Sequence, residues 1–156
     1  MRRFFTPAVS AIALSLCLLG PALAETVRLT FVQTNDIDRM EERDGRGGFA
    51  RLMTLVREER AKGPTLLVHS GDTISPSLLS GVDKGAHIID ILNHMGVDVM
   101  TPGNHEFDFG PRVFRDRMKQ ARFPVLTSNV READGSLPVN TADERIVTIE
   151  GIEIGF

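Results

Sequence analysis

The alternation of strand-like apolar runs with helical periodicity is the feature that most constrains the fold of this chain. Residues 65–68 form a nearly all-apolar run, typical of a strand buried on both faces of a sheet. Residues 47–62 instead place apolar side chains at helical spacing. The same patterns predict strands at 27–34, 97–100 and 124–130, helices at 85–95 and 111–121, and a hairpin of 145–150 with 152–156. The chain is therefore predicted to adopt an α/β fold with a layered sheet and right-handed crossovers.

Three of the predicted strands end in turns that carry acids or amides. The first turn is Asn35-Asp36-Ile37-Asp38, the second is Ser70-Gly71-Asp72, and the third is Gly103-Asn104-His105-Glu106-Phe107-Asp108. In sheets of this kind, ligands gather at the carboxyl ends of the strands. The three turns together predict one rim of an active site.

The oxygen donors of these turns have ordinary structural explanations when each is taken alone. Asp72 would cap a helix, Asp36 would form an Asx turn, and Asn104 would tolerate a left-handed backbone. With Asp38 they place four oxygen donors at successive strand ends, where the negative charge is crowded unless cations balance it. Two divalent ions bridged by a carboxylate such as Asp72 would polarise a phosphoryl oxygen and turn a water into a hydroxide nucleophile. The pattern indicates a hydrolytic metal site.

A histidine and a carboxylate accompany these donors in the third turn. Asp108 follows His105 by three residues, so that it can accept the imidazole N–H, fix the tautomer and raise the basicity of the ring. A protonated His105 would stabilise charge in phosphoryl transfer or protonate the leaving oxygen. The other histidines, His69, His87 and His94, lack such a context. His87 and His94 are predicted to face solvent on the helix at 85–95.

The N-terminal residues predict export. Arg2 and Arg3 precede an apolar segment at residues 8–19 and a small-x-small site, so residues 1–24 resemble a secretory signal peptide cut after Ala24. The apolar segment is well short of the roughly 20 residues that a membrane span needs. We therefore expect a periplasmic or extracellular protein without stable membrane association. The single cysteine, Cys17, lies in the signal, so the mature chain is expected to lack disulfides.

The charge balance and the C-terminal pattern bound the function further. The net charge is −3, and removal of the signal makes the chain more acidic, which argues against a nucleic-acid-binding role. The sequence ends at Phe156 inside a predicted strand, where an unfinished edge would be exposed. We therefore expect residues 25–156 to be the N-terminal portion of a longer catalytic domain. Nothing in the sequence sets the oligomeric state.

The three turns resemble, in order and spacing, those of the calcineurin-like metallophosphoesterase superfamily. The Gly-Asn-His-Glu-Phe-Asp motif and the signal resemble the 5′-nucleotidase branch. The resemblance implies the N-terminal part of a four-layered α/β/β/α sandwich, incomplete at the C-terminus and normally followed by a substrate-binding domain. It also implies that Asp36 binds a first metal, Asp72 bridges, Asn104 binds a second metal, and His105 is catalytic with Asp108 as its partner.

This chain departs from the family pattern at one of the implied ligands. Asp38 stands where many relatives have a histidine. A carboxylate there either ligates, which favours Mn²⁺ or Mg²⁺ over Zn²⁺, or points away and leaves the place to water. Both alternatives stay open at the level of sequence. The later metal-binding histidines of the family would lie beyond Phe156.

Three functions are compatible with the sequence. The first is a phosphoesterase with two divalent ions (Mn, Zn or Mg) that releases phosphate from a small nucleotide substrate. The second keeps the fold and acts as a 2′,3′-cyclic-nucleotide phosphodiesterase or a UDP-sugar hydrolase. The third is an inactive truncated fragment, because residues 25–156 alone are predicted to be poorly folded and essentially inactive.

Overall fold

The computed structural model describes residues 26–156. The predicted signal peptide at residues 1–24 lies outside the described residues. Regular elements alternate along the described chain in this order: β1 Thr30–Thr34, α1 Phe49–Lys62, β2 Thr65–His69, α2 Leu78–Asp83, α3 Ala86–Met95, β3 Val99–Met100, a 3₁₀ helix Asn104–Phe107, α4 Pro111–Gln120, β4 Ile146–Ile149 and β5 Ile152–Gly155. The predicted α/β class is confirmed, as is the C-terminal hairpin, in which β4 and β5 pair antiparallel.

The first three strands form a parallel sheet in the order β1-β2-β3. The last residues of β1 and β2, Thr34 and His69, are aligned, and His69 is aligned in turn with Met100 at the end of β3. The three strands consequently end at the same edge of the sheet. This register brings the three polar turns together.

One buried apolar cluster joins the sheet to its helices. Leu67 of β2 and Val56 of α1 are fully buried, in keeping with the nearly all-apolar sequence of β2. The helices α3 and α4 present several buried residues to the same cluster: Ile88, Ile89, Leu92, Met95, Phe114 and Met118. Burial of this many large apolar side chains is the main stabilising term for the framework on which the turns stand. No helix among residues 26–156 is long and apolar enough to cross a membrane.

The predicted strand at 124–130 is wrong in extent. Only single bridges occur there, from Met100 to Val125 and from Leu126 to Ala142. The N–H of Val130 donates to the carbonyl of Thr127 (3.1 Å), which closes a turn directly after the bridges. Hydrogen bonding within this turn replaces the pairing that β propensity alone suggested.

The predicted solvent exposure of His87 is also wrong, whereas that of His94 is confirmed. The His94 side chain is 73% exposed, but that of His87 is 13% exposed. The difference arises from Asp83, whose two carboxylate oxygens each lie 2.9 Å from His87 Nδ1. This pairing draws the imidazole against the short helix α2, which the sequence pattern did not predict.

Asp83 also acts as a cap for α3, so we expect Asp83→Ala to destabilise the protein by about 1–2 kcal/mol. Its carboxylate accepts the N–H groups of Gly85 and His87, both at 2.9 Å, and alanine would leave those donors without that acceptor. Denaturant titration would measure the change. Asp90→Ala is the control, because Asp90 lies on α3, the helix that Asp83 caps, with 67% of its side chain exposed. A loss no larger than the control's would contradict the capping role.

The pH dependence gives a second check on this cap. Burial raises the pKa of Asp83, but hydrogen bonds from the His87 ring and main chain outweigh it and hold the pKa below the ordinary 3.8. A carboxyl group whose pKa is lower in the folded than in the unfolded protein stabilises the fold at pH values above its unfolded-state pKa. This stabilisation is lost as the pH falls through the folded-state pKa. The difference between wild type and Asp83→Ala should therefore shrink as the pH falls below 3.8.

Candidate active site

Main-chain hydrogen bonds tie together the turns that follow β1, β2 and β3. The N–H of Ser70 donates to the carbonyl of Thr34 (2.8 Å), and the N–H of Asp36 donates to the carbonyl of Gly71 (3.1 Å). On the other side of β2, the N–H of Thr101 donates to the carbonyl of His69 (2.9 Å). These bonds extend the parallel ladder past the strand ends, so the turns start from a common rigid edge.

Two glycines allow the second and third turns to approach closely. Gly71 has φ +80°, and a Cβ placed on it would lie under 3.0 Å from the main chain of residues 101–103. A Cβ on Gly103 would likewise lie under 3.0 Å from the carboxylate of Asp72. A larger residue at Gly71 would therefore need one of the turns to move, and one at Gly103 would displace the carboxylate of Asp72.

Asp36 and Asp72 hold left-handed backbone conformations, with φ of 54° and 57°. Aspartate visits this region more readily than most residues, and such conformations concentrate at functional sites. Oδ2 of Asp36 accepts a hydrogen bond from the side chain of Asn35. Oδ1 of Asp72 accepts the N–H of His105 at 2.9 Å. The second and third turns are thus linked through a predicted metal ligand.

His105 and Asp108 are in direct contact. Nδ1 of His105 lies 2.7 Å from Oδ2 of Asp108, and the two side chains are 38% and 37% exposed. The hydrogen bond that the His105 ring donates to Asp108 is the main cause that raises the pKa of His105 above 6.5. The pKa of Asp108 is lowered in turn, first by His105 and then by a hydrogen bond from Ser75. A histidine so placed keeps its proton to higher pH than a free imidazole.

Asn104 and Asp38 occupy different surroundings. Asn104 is exposed at the start of the 3₁₀ helix, beside the turn that carries Asp72. Asp38 lines a groove of about 550 Å³ with Ser77, Leu78 and His87, among others. Asp36 lines another groove with Thr34 and Arg51, among others. The aligned strand ends bring Asp36, Asp72 and Asn104 to one edge, whereas Asp38 lines a different groove from Asp36.

Two side chains at this edge were not among the predicted site residues. His69, at the end of β2, is 1% exposed; its Nδ1 lies 3.0 Å from Thr34 Oγ1, and its Nε2 has no partner within residues 26–156. Burial lowers the pKa of His69. Glu106 is fully buried and accepts main-chain N–H groups from both turns. Its one sequence signal is the position three residues after Gly103, where a glutamate can reach back to the first N–H of a helical turn.

The donors at this edge are compatible with a divalent cation. Asp72 uses Oδ1 for the bond from His105, which leaves Oδ2 for another partner, and Gly103 keeps the space beside this carboxylate free of a side chain. Carboxylate and amide oxygens suit hard ions such as Mg²⁺ and Mn²⁺. Within residues 26–156, however, no group of three or more His, Cys, Asp and Glu side chains is arranged to hold a metal ion.

Comparison with known proteins identifies the family. The sequence-family model that describes the calcineurin-like phosphoesterases matches residues 29–153 of this chain. The chain belongs to the calcineurin-like phosphoesterase family. This phosphoesterase chain is 35% identical over 140 residues to a 5′-nucleotidase of Bos taurus, covering 81% of the chain and 24% of the relative. It therefore spans about a quarter of that relative's length.

Further relatives of this phosphoesterase chain come from bacteria. A 2′,3′-cyclic-nucleotide 2′-phosphodiesterase/3′-nucleotidase of Haemophilus influenzae is 37% identical over 103 residues, covering 60% of the chain and 16% of the relative. A crystal structure of a 5′-nucleotidase precursor from Thermus thermophilus superposes with a TM-score of 0.68 at 30% identity, covering 81% of the chain and 27% of that structure. The predicted family and fold are therefore confirmed.

Proposed function

We propose that this protein is a metal-dependent phosphoesterase that releases phosphate from nucleotides, in the manner of a 5′-nucleotidase. The observation that carries the proposal is the junction of two turns at Asp72, whose Oδ1 accepts the N–H of His105 at 2.9 Å. This bond sets the carboxylate that we propose as a metal ligand against the main chain of the histidine, in a fold of the phosphoesterase family. The 5′-nucleotidase relatives support the choice of substrate class.

Each site residue has a distinct part in this proposal. Asp36 and Asp72 would hold a first divalent ion, and Asp72 with Asn104 a second, with Asp38 as a further candidate ligand. Such ions, when bound, supply Lewis acidity toward the phosphoryl group and a nucleophile derived from water. Asp108 would hold the Nδ1–H of His105 through the 2.7 Å contact at Nδ1, and in the protonated ring Nε2 would carry the second proton, which is the one available to a substrate. His105 then stabilises phosphoryl charge or protonates the leaving oxygen.

A second candidate is hydrolysis of 2′,3′-cyclic nucleotides. The Haemophilus influenzae relative named for that activity supports it. The same site residues serve both reactions, because each replaces an ester oxygen at phosphorus with one derived from water. Substrate choice would depend on groups that contact the nucleoside.

We also propose that the protein is exported and that residues 25–156 form the N-terminal portion of its catalytic domain. The charged and apolar pattern of residues 1–24 supports export. The half-exposed apolar side chains Phe31 and Ile146 support the view that further protein packs against this portion, because 49% and 62% of their surfaces are exposed.

The test is phosphate release by the full-length product of the gene from AMP, 2′,3′-cyclic AMP and UDP-glucose. We expect AMP to be cleaved, EDTA to abolish turnover, and added Mn²⁺ to restore it, because the ions supply the nucleophile. Asp72→Asn, purified identically, controls for contaminating phosphatases. Absence of metal-dependent release across the three substrates would contradict the proposal, whereas cleavage of the cyclic nucleotide alone would favour the second candidate.

A further inference from the structure

Glu106 is a buried carboxylate that the proposed chemistry does not use. It lies in the 3₁₀ helix between His105 and Phe107, and its side chain is 0% exposed. Within residues 26–156, no Lys, Arg or His side chain forms an ion pair with it. A carboxylate in such a place is unfavourable unless hydrogen bonds compensate for the lost water. Its partners therefore reveal its role.

Four main-chain N–H groups supply that compensation. Oε2 accepts from Gly103 (2.6 Å) and from Asp72 (2.8 Å). Oε1 accepts from Thr73 (2.8 Å) and from Ile74 (3.2 Å). One donor belongs to the third turn and three belong to the second, so a single side chain holds both turns.

The geometry of this cluster requires two acceptor oxygens. Every partner of Glu106 is an N–H donor. Glutamine has nearly the same shape but presents an NH₂ group in place of one oxygen. This NH₂ group is a donor, so it would lie against main-chain N–H donors and accept from none of them. The donors include the N–H of Asp72 itself, so the bond bears directly on the backbone that aims the Asp72 carboxylate.

We propose that Glu106 is a positioning residue, which fixes the turn of Asp72 against the turn of Asn104 and thereby preforms the metal site. The inference rests on the proposed function, since it concerns the ligands named there. Asp72 has a left-handed backbone with φ 57°, and the three consecutive N–H bonds at residues 72–74 hold that conformation. Partners of metal ligands commonly change metal affinity about 10- to 100-fold when removed.

The first measurement concerns the protein without metal. In Glu106→Gln, amide hydrogen exchange in peptides that contain residues 72–74 and 103 should be at least about tenfold faster than in wild type, because these N–H groups lose their acceptor. Glu132→Gln is the matched control. Glu132 accepts the side chain of Arg115 at 2.6 Å with 25% of its own side chain exposed, and it makes no hydrogen bond to the two turns.

The second measurement is calorimetric titration of the metal-free full-length protein with Mn²⁺, well below the unfolding midpoint of each variant. Glu106→Gln should raise the dissociation constant about 10- to 100-fold, and Glu132→Gln by less than about twofold. If Glu106 had a purely structural role, Glu106→Gln would instead lower the unfolding midpoint and leave the Mn²⁺ affinity of the folded protein unchanged. Asp72→Asn serves as the positive control for loss of metal.

The outcomes separate this inference from the proposed function. If wild type binds none of Mn²⁺, Mg²⁺ and Zn²⁺, the proposed function is wrong and the inference falls with it. If Asp72→Asn loses Mn²⁺ but Glu106→Gln binds within about twofold of wild type, the inference is wrong and the proposed function stands. Should Glu106→Gln not fold, Glu106→Asp replaces it: it keeps both acceptors on a side chain one methylene too short to reach both turns. Wild-type affinity in Glu106→Asp would overturn the inference.

Discussion

Replacing His105 with alanine is expected to lower kcat by about 10²- to 10⁴-fold, with little change in KM. The imidazole acts on charge that develops in the transition state, so its loss raises the barrier more than it weakens substrate binding. Asp108, 2.7 Å from Nδ1, orients the ring and raises its pKa, so that the ring retains its proton to higher pH. Steady-state kinetics of the full-length protein with AMP and Mn²⁺ would measure the effect.

His94→Ala is the matched control for that experiment. His94 lies on α3 with 73% of its side chain exposed, 3.6 Å from Asp90, and no site residue contacts it within residues 26–156. Its replacement should leave kcat and KM unchanged. Mn²⁺ titration of His105→Ala should give the wild-type affinity, which would separate a catalytic role from a ligand role. An unchanged kcat in His105→Ala would refute the catalytic assignment.

The framework of the fold could be predicted from the sequence because its signals are local. The predicted helix at 47–62 corresponds to α1, Phe49–Lys62, and the predicted strand at 65–68 to β2, Thr65–His69. Strong periodicity and the Gly63-Pro64 break mark these elements independently of the rest of the chain. The parallel pairing of the strands then follows from the alternation of strands and helices along the chain. Parallel strands bring the polar turns to one edge of the sheet.

Elements whose form depends on distant contacts could not be predicted in the same way. The segment at 124–130 has β-forming residues, yet a turn at Val130 ends its pairing. His87 lies on a helix face that periodicity assigns to solvent, and Asp83 from the short helix α2 draws it inward. In each case a tertiary or capping interaction outweighed the propensity of the segment.

The same distinction applies within the site. Asp36, Asp72 and Asn104 could be placed at one edge from sequence, because their positions depend on strand ends. Glu106 could not be assigned, since a glutamate in a polar turn normally faces water. Only the approach of the second turn supplies the N–H groups of residues 72–74 that make its burial possible. Contacts between turns about 30 residues apart leave no periodic trace in the sequence.

Gly71→Ala is expected to destabilise the protein by about 3–5 kcal/mol, near the upper end of single substitutions. Two costs add at this position. The backbone has φ +80°, which an L-residue with a Cβ adopts only with strain, and the added Cβ would lie under 3.0 Å from Gly103 N, Pro102 C and Thr101 O. All three are main-chain atoms, so no side-chain rotation relieves the overlap. Denaturant titration would measure the loss.

Gly135→Ala isolates the close approach from the backbone strain. Gly135 has a similar φ of +85°, but a Cβ there would meet nothing within 4 Å. Gly135→Ala should lower the free energy of unfolding by about 1–2 kcal/mol, which is the conformational penalty alone. The excess in Gly71→Ala would then measure the contact between the turns that carry Asp72 and Asn104. Because the N–H of Asp36 donates to Gly71 O, the same substitution should weaken Mn²⁺ binding, whereas Gly135→Ala should not. Equal losses of stability in the two variants would show that the turns do not meet as described.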